Sequence, residues 1–314
     1  MEITVPKKIA QYSLVHKIGR GSTADVWSAK DLYDRNVALK IYSKIKHLDE
    51  IAYQLFNDEF EKTKLLSHPN VLSAQDFIME NDTPILAFPL YESCLEKEII
   101  CRKIEHLEKN IQNPSLFSNE EIFAITRQVA EGLAYLHENN IIHNDIKPAN
   151  IVFRKTHEGY LQCGIIDFGI SLDLKNYTKS ANQKDIASSK TVVYAAPEKI
   201  NGINTEPKSD IFSLGMVIYE LAGGKNKSIT AGDIVAKGGL IVLENRSVND
   251  PIQMLMSACL QKDPKERPDA KALLNMIMSY QHHNNTKYLK YPKICILNFI
   301  KSKYYYFSKI FKNN

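Results

Sequence analysis

The chain has 314 residues, 44% of them hydrophobic, enough for one large domain or one domain in two lobes around a sizeable core. Its formal charge of +4 is too mild to argue for nucleic acid, and the excess is local: residues 281–314 hold seven Lys and no Asp, Glu or Arg, leaving about −3 on residues 1–280. The five Cys (Cys94, Cys101, Cys163, Cys259, Cys295) form no CxxC pair and no Cys/His cluster at zinc spacing, which argues against a disulfide framework or a zinc site and suits a reducing, cytoplasmic setting.

The opening MEITVPKKIA has no apolar run suited to a signal peptide. Residues 12–42 are rich in strand formers, with turn signals at GRGS and DLYDRN, and predict three antiparallel strands. Residues 49–67 are polar with apolar positions at helical spacing. HPN (68–70) stops that helix, because Pro69 biases His68 away from helical angles. More strand is expected at 71–79 and 85–88. From about residue 93 the pattern turns helical. Residues 94–117 read as a charged, solvated connection. Residues 118–140 open with Ser118 as N-cap and Glu121 at capping-box spacing, and Ile122, Ile125, Val129, Leu133 and Leu136 recur every three or four residues. Residues 209–224 are apolar nearly all round, as in a buried core helix. Two further helices flank PKERP (264–268). The longest apolar run near the end, ICILNFI (294–300), is far short of the ~20 residues of a spanning helix.

Three stretches carry chemistry. In IGRGSTADV (18–26), Gly19 and Gly21 lie between two strand patterns, a context that argues against a dinucleotide fold. Without a Cβ they let backbone approach phosphate oxygens, although a plain β-turn explains the same residues. VALK (37–40) ends in Lys40, which can pair with phosphates if a carboxylate holds it; Glu59 is the candidate holder, Glu61 lying on another helical face. In IIHNDIKPAN (141–150), Asp145 can accept a proton from, or orient, a hydroxyl, and Lys147 can neutralise charge on a transferring phosphoryl group. Asn150 offers a carbonyl oxygen to a hard cation such as Mg²⁺. In GIIDFGI (164–170), Asp167 is the natural second metal ligand, and Gly169 permits the turn that follows.

Together with AAPE (195–198), DIFSLG (210–215) and DPKERP (263–268), these stretches resemble eukaryotic-type protein kinases over residues 12–278, in the order expected of that family. The resemblance implies an α+β, bilobal protein-kinase-like fold, with a small β-rich N-lobe with one main helix (12–88), a hinge (89–92) and a larger α-rich C-lobe (93–280). Residues 1–11 and 281–314 would be extensions. It implies ATP and Mg²⁺ as cofactors and proteins as substrates. Ile18, Gly19, Arg20, Gly21, Ser22, Thr23, Ala24, Asp25 and Val26 would cover ATP, with Val26, Ala38 and Val152 about the adenine. Phe88 would be the gatekeeper, with the Pro89 carbonyl and the Tyr91 N–H bonding adenine. Lys40 would pair the α- and β-phosphates and Glu59. Asp145 would be the catalytic base or positioner, and Asn150 and Asp167 would hold Mg²⁺. Thr191 would reach Asp145 and Lys147. Glu198 would pair with Arg267, and Asp210 would support the catalytic-loop backbone. Lys two residues after Asp145 resembles the serine/threonine class.

Four departures stand out. Ala24 replaces the third glycine, and Thr63 and Ala74 fall where the family packs bulky apolar residues between the lobes. Asn144 stands where most relatives carry Arg, and a neutral amide cannot give a phosphate the bidentate, charge-assisted contact of a guanidinium. The expected function is a Ser/Thr protein kinase that does not need activation-segment phosphorylation. The alternatives are a pseudokinase-type nucleotide-binding scaffold and, opposed by AAPE and DPKERP, a small-molecule phosphotransferase. The Lys-, Tyr- and Phe-rich tail 281–314 reads as a peripheral membrane segment, as a partner- or self-docking segment, or as an extension packed on the large lobe.

Overall fold

The computed structural model describes residues 8–20, 24–42, 57, 60, 61, 63–111, 115–156, 161–168, 193–203, 205–224, 243 and 246–283. Glu59, Gly21, Ser22, Thr23, Gly169, Thr191 and almost all of the 281–314 tail lie outside them.

The small lobe is a six-stranded antiparallel sheet in the order β1-β2-β3-β4-β6-β5. Its strands are β1 (Lys8–Ile9), β2 (Tyr12–Arg20), β3 (Asp25–Lys30), β4 (Asn36–Ile41), β5 (Asp76–Glu80) and β6 (Thr83–Pro89). The three strands expected over 12–42 are present, and Lys8–Ile9 pair with Tyr12–Ser13 as a further edge. Turn chemistry sets the hairpins. Asp31 Oδ1 accepts the N–H groups of Tyr33 and Arg35, both at 2.9 Å, in the β3–β4 turn. Asn81 and Asp82 both take positive φ (47° and 56°), as a two-residue hairpin loop requires between β5 and β6.

Residues 71–75 depart from the expected strand. Their backbone partners are spread over two sheets: Leu72 N–H donates to Ile165 O at 2.9 Å, and Gln75 N–H donates to Ala87 O at 2.7 Å. The segment therefore crosses between the lobes instead of extending β5.

The large lobe is helical: α1 (Leu95–Glu108), α2 (Asn119–Glu138), α3 (Pro197–Ile200), α4 (Pro207–Leu221), α5 (Pro251–Cys259) and α6 (Ala270–His283). A second sheet, β7 (Ser93–Cys94), β8 (Ile151–Lys155) and β9 (Leu161–Ile165), lies beside them. Both halves of the Ser118/Glu121 capping box form on α2. Ile122, Ile125, Val129, Leu133 and Leu136 are all buried, as their spacing predicts. Residues 209–221 of α4 are buried on every face. At Gly132 a Cβ would stand 2.8 Å from Asn70 O and 2.7 Å from Ile165 Cδ1, so only glycine lets α2 approach β9 this closely.

The charged stretch after residue 94 is a correction. It forms α1, whose Leu95, Glu98 and Ile99 are buried against the large-lobe core. Arg102 explains the charge. Its guanidinium bonds Glu98 (2.7 Å) and both oxygens of Glu121 (2.8 and 2.9 Å), and lies 3.9 Å from the Phe117 ring centroid. The charges tie α1 to the start of α2 and are not simply solvated. Among the described residues no helix is long and apolar enough to cross a membrane.

Candidate active site

Strand register assembles the small-lobe half of the cleft. Residues directly opposite in an antiparallel pair share a face. Val26 faces Lys40 and Gly19, Lys40 faces Leu86, and Ala38 faces Phe88. Val26, Ala38, Lys40 and Phe88 therefore line one surface. Ala24 is buried in a cluster with Tyr42, Ala74 and Leu86, against which Phe88 packs. Arg20 and Asp25 are opposite one another where the glycine-bearing hairpin begins, and Lys17 pairs with Asp25 at 2.6 Å. The carbonyl of Ile18 accepts Lys97 Nζ at 2.9 Å, which ties this hairpin to α1 of the large lobe. Pro89 ends β6, Tyr91 lies under the Arg154 guanidinium at 4.8 Å, and Val152 sits on β8 opposite Cys94 and Gly164.

The stretch 141–150 is a loop between α2 and β8. Lys147 Nζ donates to Asp145 Oδ2 at 2.8 Å. Asn150 Nδ2 donates to Asp145 O at 2.8 Å and to Asp145 Oδ2 at 3.2 Å. These bonds use the amide nitrogen of Asn150 and direct its carbonyl oxygen elsewhere. The main-chain carbonyl of Asn150 accepts Ile166 N–H at 3.0 Å, so Asn150 and Asp167 approach across a single backbone bond. Among the described residues no group of three or more His, Cys, Asp or Glu is placed to hold a metal ion. An amide oxygen and a carboxylate fit Mg²⁺, which takes few protein ligands and completes its shell with water and substrate phosphate.

Lys40 Nζ meets Asp167 Oδ1 at 2.6 Å, across 127 residues of chain. Burial pushes the Lys40 ammonium down. The Asp167 charge and the hydrogen bonds that Lys40 donates to Asp167 and Tyr42 push it up further, so it stays protonated. Its expected partner Glu59 lies outside the described residues.

Asp210, on α4 and fully buried, organises the loop from below. Its carboxylate accepts His143 N–H at 2.9 Å and Asn144 N–H at 2.8 Å, and meets His137 Nε2 at 2.9 Å. Asn144 has φ +62°, a left-handed conformation that Asn tolerates better than most residues. His143 Nδ1 accepts Asp145 N–H at 3.2 Å, which makes Nε2 the protonated nitrogen facing Ile166 O at 2.9 Å. Burial holds the His143 pKa below the ordinary imidazole value, despite the opposing charges of Asp210 and Asp145.

The segment after residue 193 is anchored twice. Arg267, 1% exposed, gives Glu198 two parallel bonds of 2.7 and 2.9 Å and three more to carbonyls. Tyr194 OH donates to Glu220 Oε2 at 2.6 Å, and Lys103 meets the other oxygen of that carboxylate at 2.8 Å. Sequence reasoning passed over three neighbours of the site. Tyr42 is two residues after Lys40 and so on the same strand face, a signal within reach. His137 and Lys199 carry no local signal of their contacts.

A β-rich lobe and a helical lobe thus bring Lys40, Asp145, Lys147, Asn150 and Asp167 together where they meet. The family described as Protein kinase domain matches residues 12–278, and the chain belongs to that family. The chain is similar to serine/threonine-protein kinase PrkC of Bacillus subtilis, 30% identical over 272 residues, which covers 84% of this chain and 39% of that protein. It is also similar to calcium-dependent protein kinase 4 of Plasmodium berghei, 32% identical over 217 residues, covering 68% and 38%. Serine/threonine-protein kinase PknB of Mycobacterium tuberculosis is 28% identical over 225 residues, covering 71% and 34%. The chain thus matches about two fifths or less of the length of these curated relatives. Its fold is the bilobal α+β kinase fold.

Proposed function

We propose that this chain is a serine/threonine protein kinase that transfers the γ-phosphoryl group of ATP to Ser/Thr hydroxyls of protein substrates. The observation that carries the reading is the Asp145 carboxylate, held by Lys147 and Asn150 and linked through one backbone bond to the segment of Asp167. The substrate hydroxyl oxygen forms the new bond to the γ-phosphorus, and its proton passes to Asp145. The bond from that phosphorus to the β,γ-bridging oxygen breaks, and ADP leaves. Lys147 offsets charge on the moving phosphoryl group, and Lys40 holds the non-reacting phosphates. Asn150 and Asp167 would hold Mg²⁺, which neutralises phosphate charge. The Glu198–Arg267 pair braces the platform on which a protein substrate lies.

Phosphate transfer from Mg-ATP to a generic protein substrate tests the reading. Asp145→Ala and Lys40→Met should each abolish it while the protein stays folded; transfer persisting in both overturns the assignment. Nucleotide binding with no turnover in the wild type would instead favour a pseudokinase-type scaffold. Asn144 supports activity without a phosphorylated activation segment. Phosphatase treatment should leave the rate within about twofold, since no guanidinium at 144 waits for the phosphate. The 281–314 tail keeps its membrane-surface and docking readings; vesicle binding that is lost on its deletion selects the first.

A further inference from the structure

Asn144 brings no charge of its own to the catalytic loop, but the fold delivers one. Lys199, on α3, donates its ammonium to the main-chain carbonyl of Asn144. The two residues are 55 positions apart in the chain.

This contact falls on the peptide that aims Asp145. The carbonyl of the 144–145 peptide is held by Lys199, and its N–H donates to His143 Nδ1 at 3.2 Å. The preceding N–H, of Asn144, is held by Asp210 at 2.8 Å, and the following carbonyl, of Asp145, is held by Asn150 at 2.8 Å. Four consecutive main-chain groups thus have fixed partners, two on helices α4 and α3 and two within the loop itself. Such holding matters here because φ at Asn144 is +62°, a conformation that persists only where its surroundings over-determine it.

Lys199 is itself well anchored. It follows Glu198, whose carboxylate is locked by Arg267 and by Ser209 Oγ at 2.7 Å, so α3 cannot shift without breaking a buried ion pair. An ammonium on a braced helix is a preorganised donor, and a charged donor makes a stronger bond to a carbonyl than a neutral one.

We propose that Lys199 is a positioning residue for Asp145: a built-in cation that fixes the 144–145 peptide and couples the substrate platform to the catalytic loop. The role rests on the protein-kinase reading above.

The test uses the full chain, phosphatase-treated, as wild type, Lys199→Met and Lys199→Arg. Lys208→Met serves as control, because Lys208 also donates to a carbonyl, that of Lys265, but at an exposed site outside the loop. Steady-state transfer to a generic protein substrate, binding of a fluorescent nucleotide and melting temperature are measured for each. Lys199→Met should lower kcat by about ten- to hundredfold, the scale of a misplaced reacting group, with the KM for ATP and nucleotide affinity within about twofold of wild type. Lys199→Arg should recover most of that loss, and Lys208→Met should match wild type. Unchanged kcat in Lys199→Met overturns the role. So does a loss of kcat that tracks lost nucleotide affinity and melting temperature, or one that arginine fails to restore, since either marks a residue that only supports the fold. A wild type that binds nucleotide and transfers nothing removes the kinase reading, and this role with it.

Discussion

Asp210 accepts the main-chain N–H of Asn144 at 2.8 Å, and this bond ties the most buried helix of the large lobe to the residue beside Asp145. The same carboxylate takes the N–H of His143 and faces His137, so a single side chain at 0% exposure serves three donors. Asp210→Ala strands two buried N–H groups, each costing about 1–3 kcal/mol. Chemical denaturation should show a loss of about 2–6 kcal/mol, and kcat should fall with it. Asp210→Asn, which keeps one acceptor, should fall between alanine and wild type.

The Glu198–Arg267 pair gives stability a pH dependence. Burial pushes the Glu198 carboxyl up, but hydrogen bonds from Arg267 and Ser209 and the guanidinium charge outweigh it and hold the carboxyl below the ordinary range. The folded pKa is therefore lower than the unfolded one. The contribution is complete above the unfolded value of about 4.3 and is lost as pH falls through the folded value. Glu198→Ala should cost about 3–5 kcal/mol at neutral pH, because it leaves Arg267 buried and uncompensated. Melting temperatures from pH 3 to 7 should then show a smaller acid-induced drop in the variant than in wild type.

His143 acts higher on the pH scale. Its pKa is depressed in the fold by burial, so below about 6.5 the unfolded chain binds a proton that the folded chain refuses. Its contribution is full above the unfolded value and declines as pH falls toward the folded one. His143→Phe removes this titration, and its stability should be flatter than wild type between about pH 6.5 and 5.

Tyr42 explains how Ala74, beside Ala24, is tolerated where the family packs a bulky apolar residue. It is 4% exposed, shares a buried cluster with both alanines and Leu86, and presents its ring 5.3 Å from Lys40 Nζ. Phe60, Phe77 and Phe88 pack against the same cluster. Tyr42→Ala should cost about 3–5 kcal/mol and raise the KM for ATP, since Lys40 loses a neighbour. Ala74→Leu should cost about 1–3 kcal/mol by overpacking. Combining Ala74→Leu with Tyr42→Val should recover part of both losses; additive losses in the double variant would show that the two sites do not share space.

Much of the molecule is legible along the chain. The capping box at Ser118, the apolar spacing on α2 and the all-round apolarity of α4 are local patterns, and each forms as read. Helix α1 was hidden because its charges sit at i,i+4, as Glu98–Arg102 and Glu105–Lys109, a pattern shared with solvated segments. Its apolar anchors, Leu95 and Ile99, are too few to outweigh that signal. Residues 71–75 misled for the opposite reason: they are apolar like a strand, but their hydrogen-bond partners belong to two different sheets.

By itself the sequence determined which reactive groups this protein carries and in what order: Lys40, then Asp145, Lys147 and Asn150, then Asp167. Residue type and short spacing are local properties, and a phosphate-handling loop needs its groups within a few residues of one another. Only the tertiary structure decided that Lys40 meets Asp167 and that Lys199 supplies a cation at Asn144. Those contacts join residues 127 and 55 positions apart. They depend on how sheet and helices pack, and no spacing along the chain encodes that.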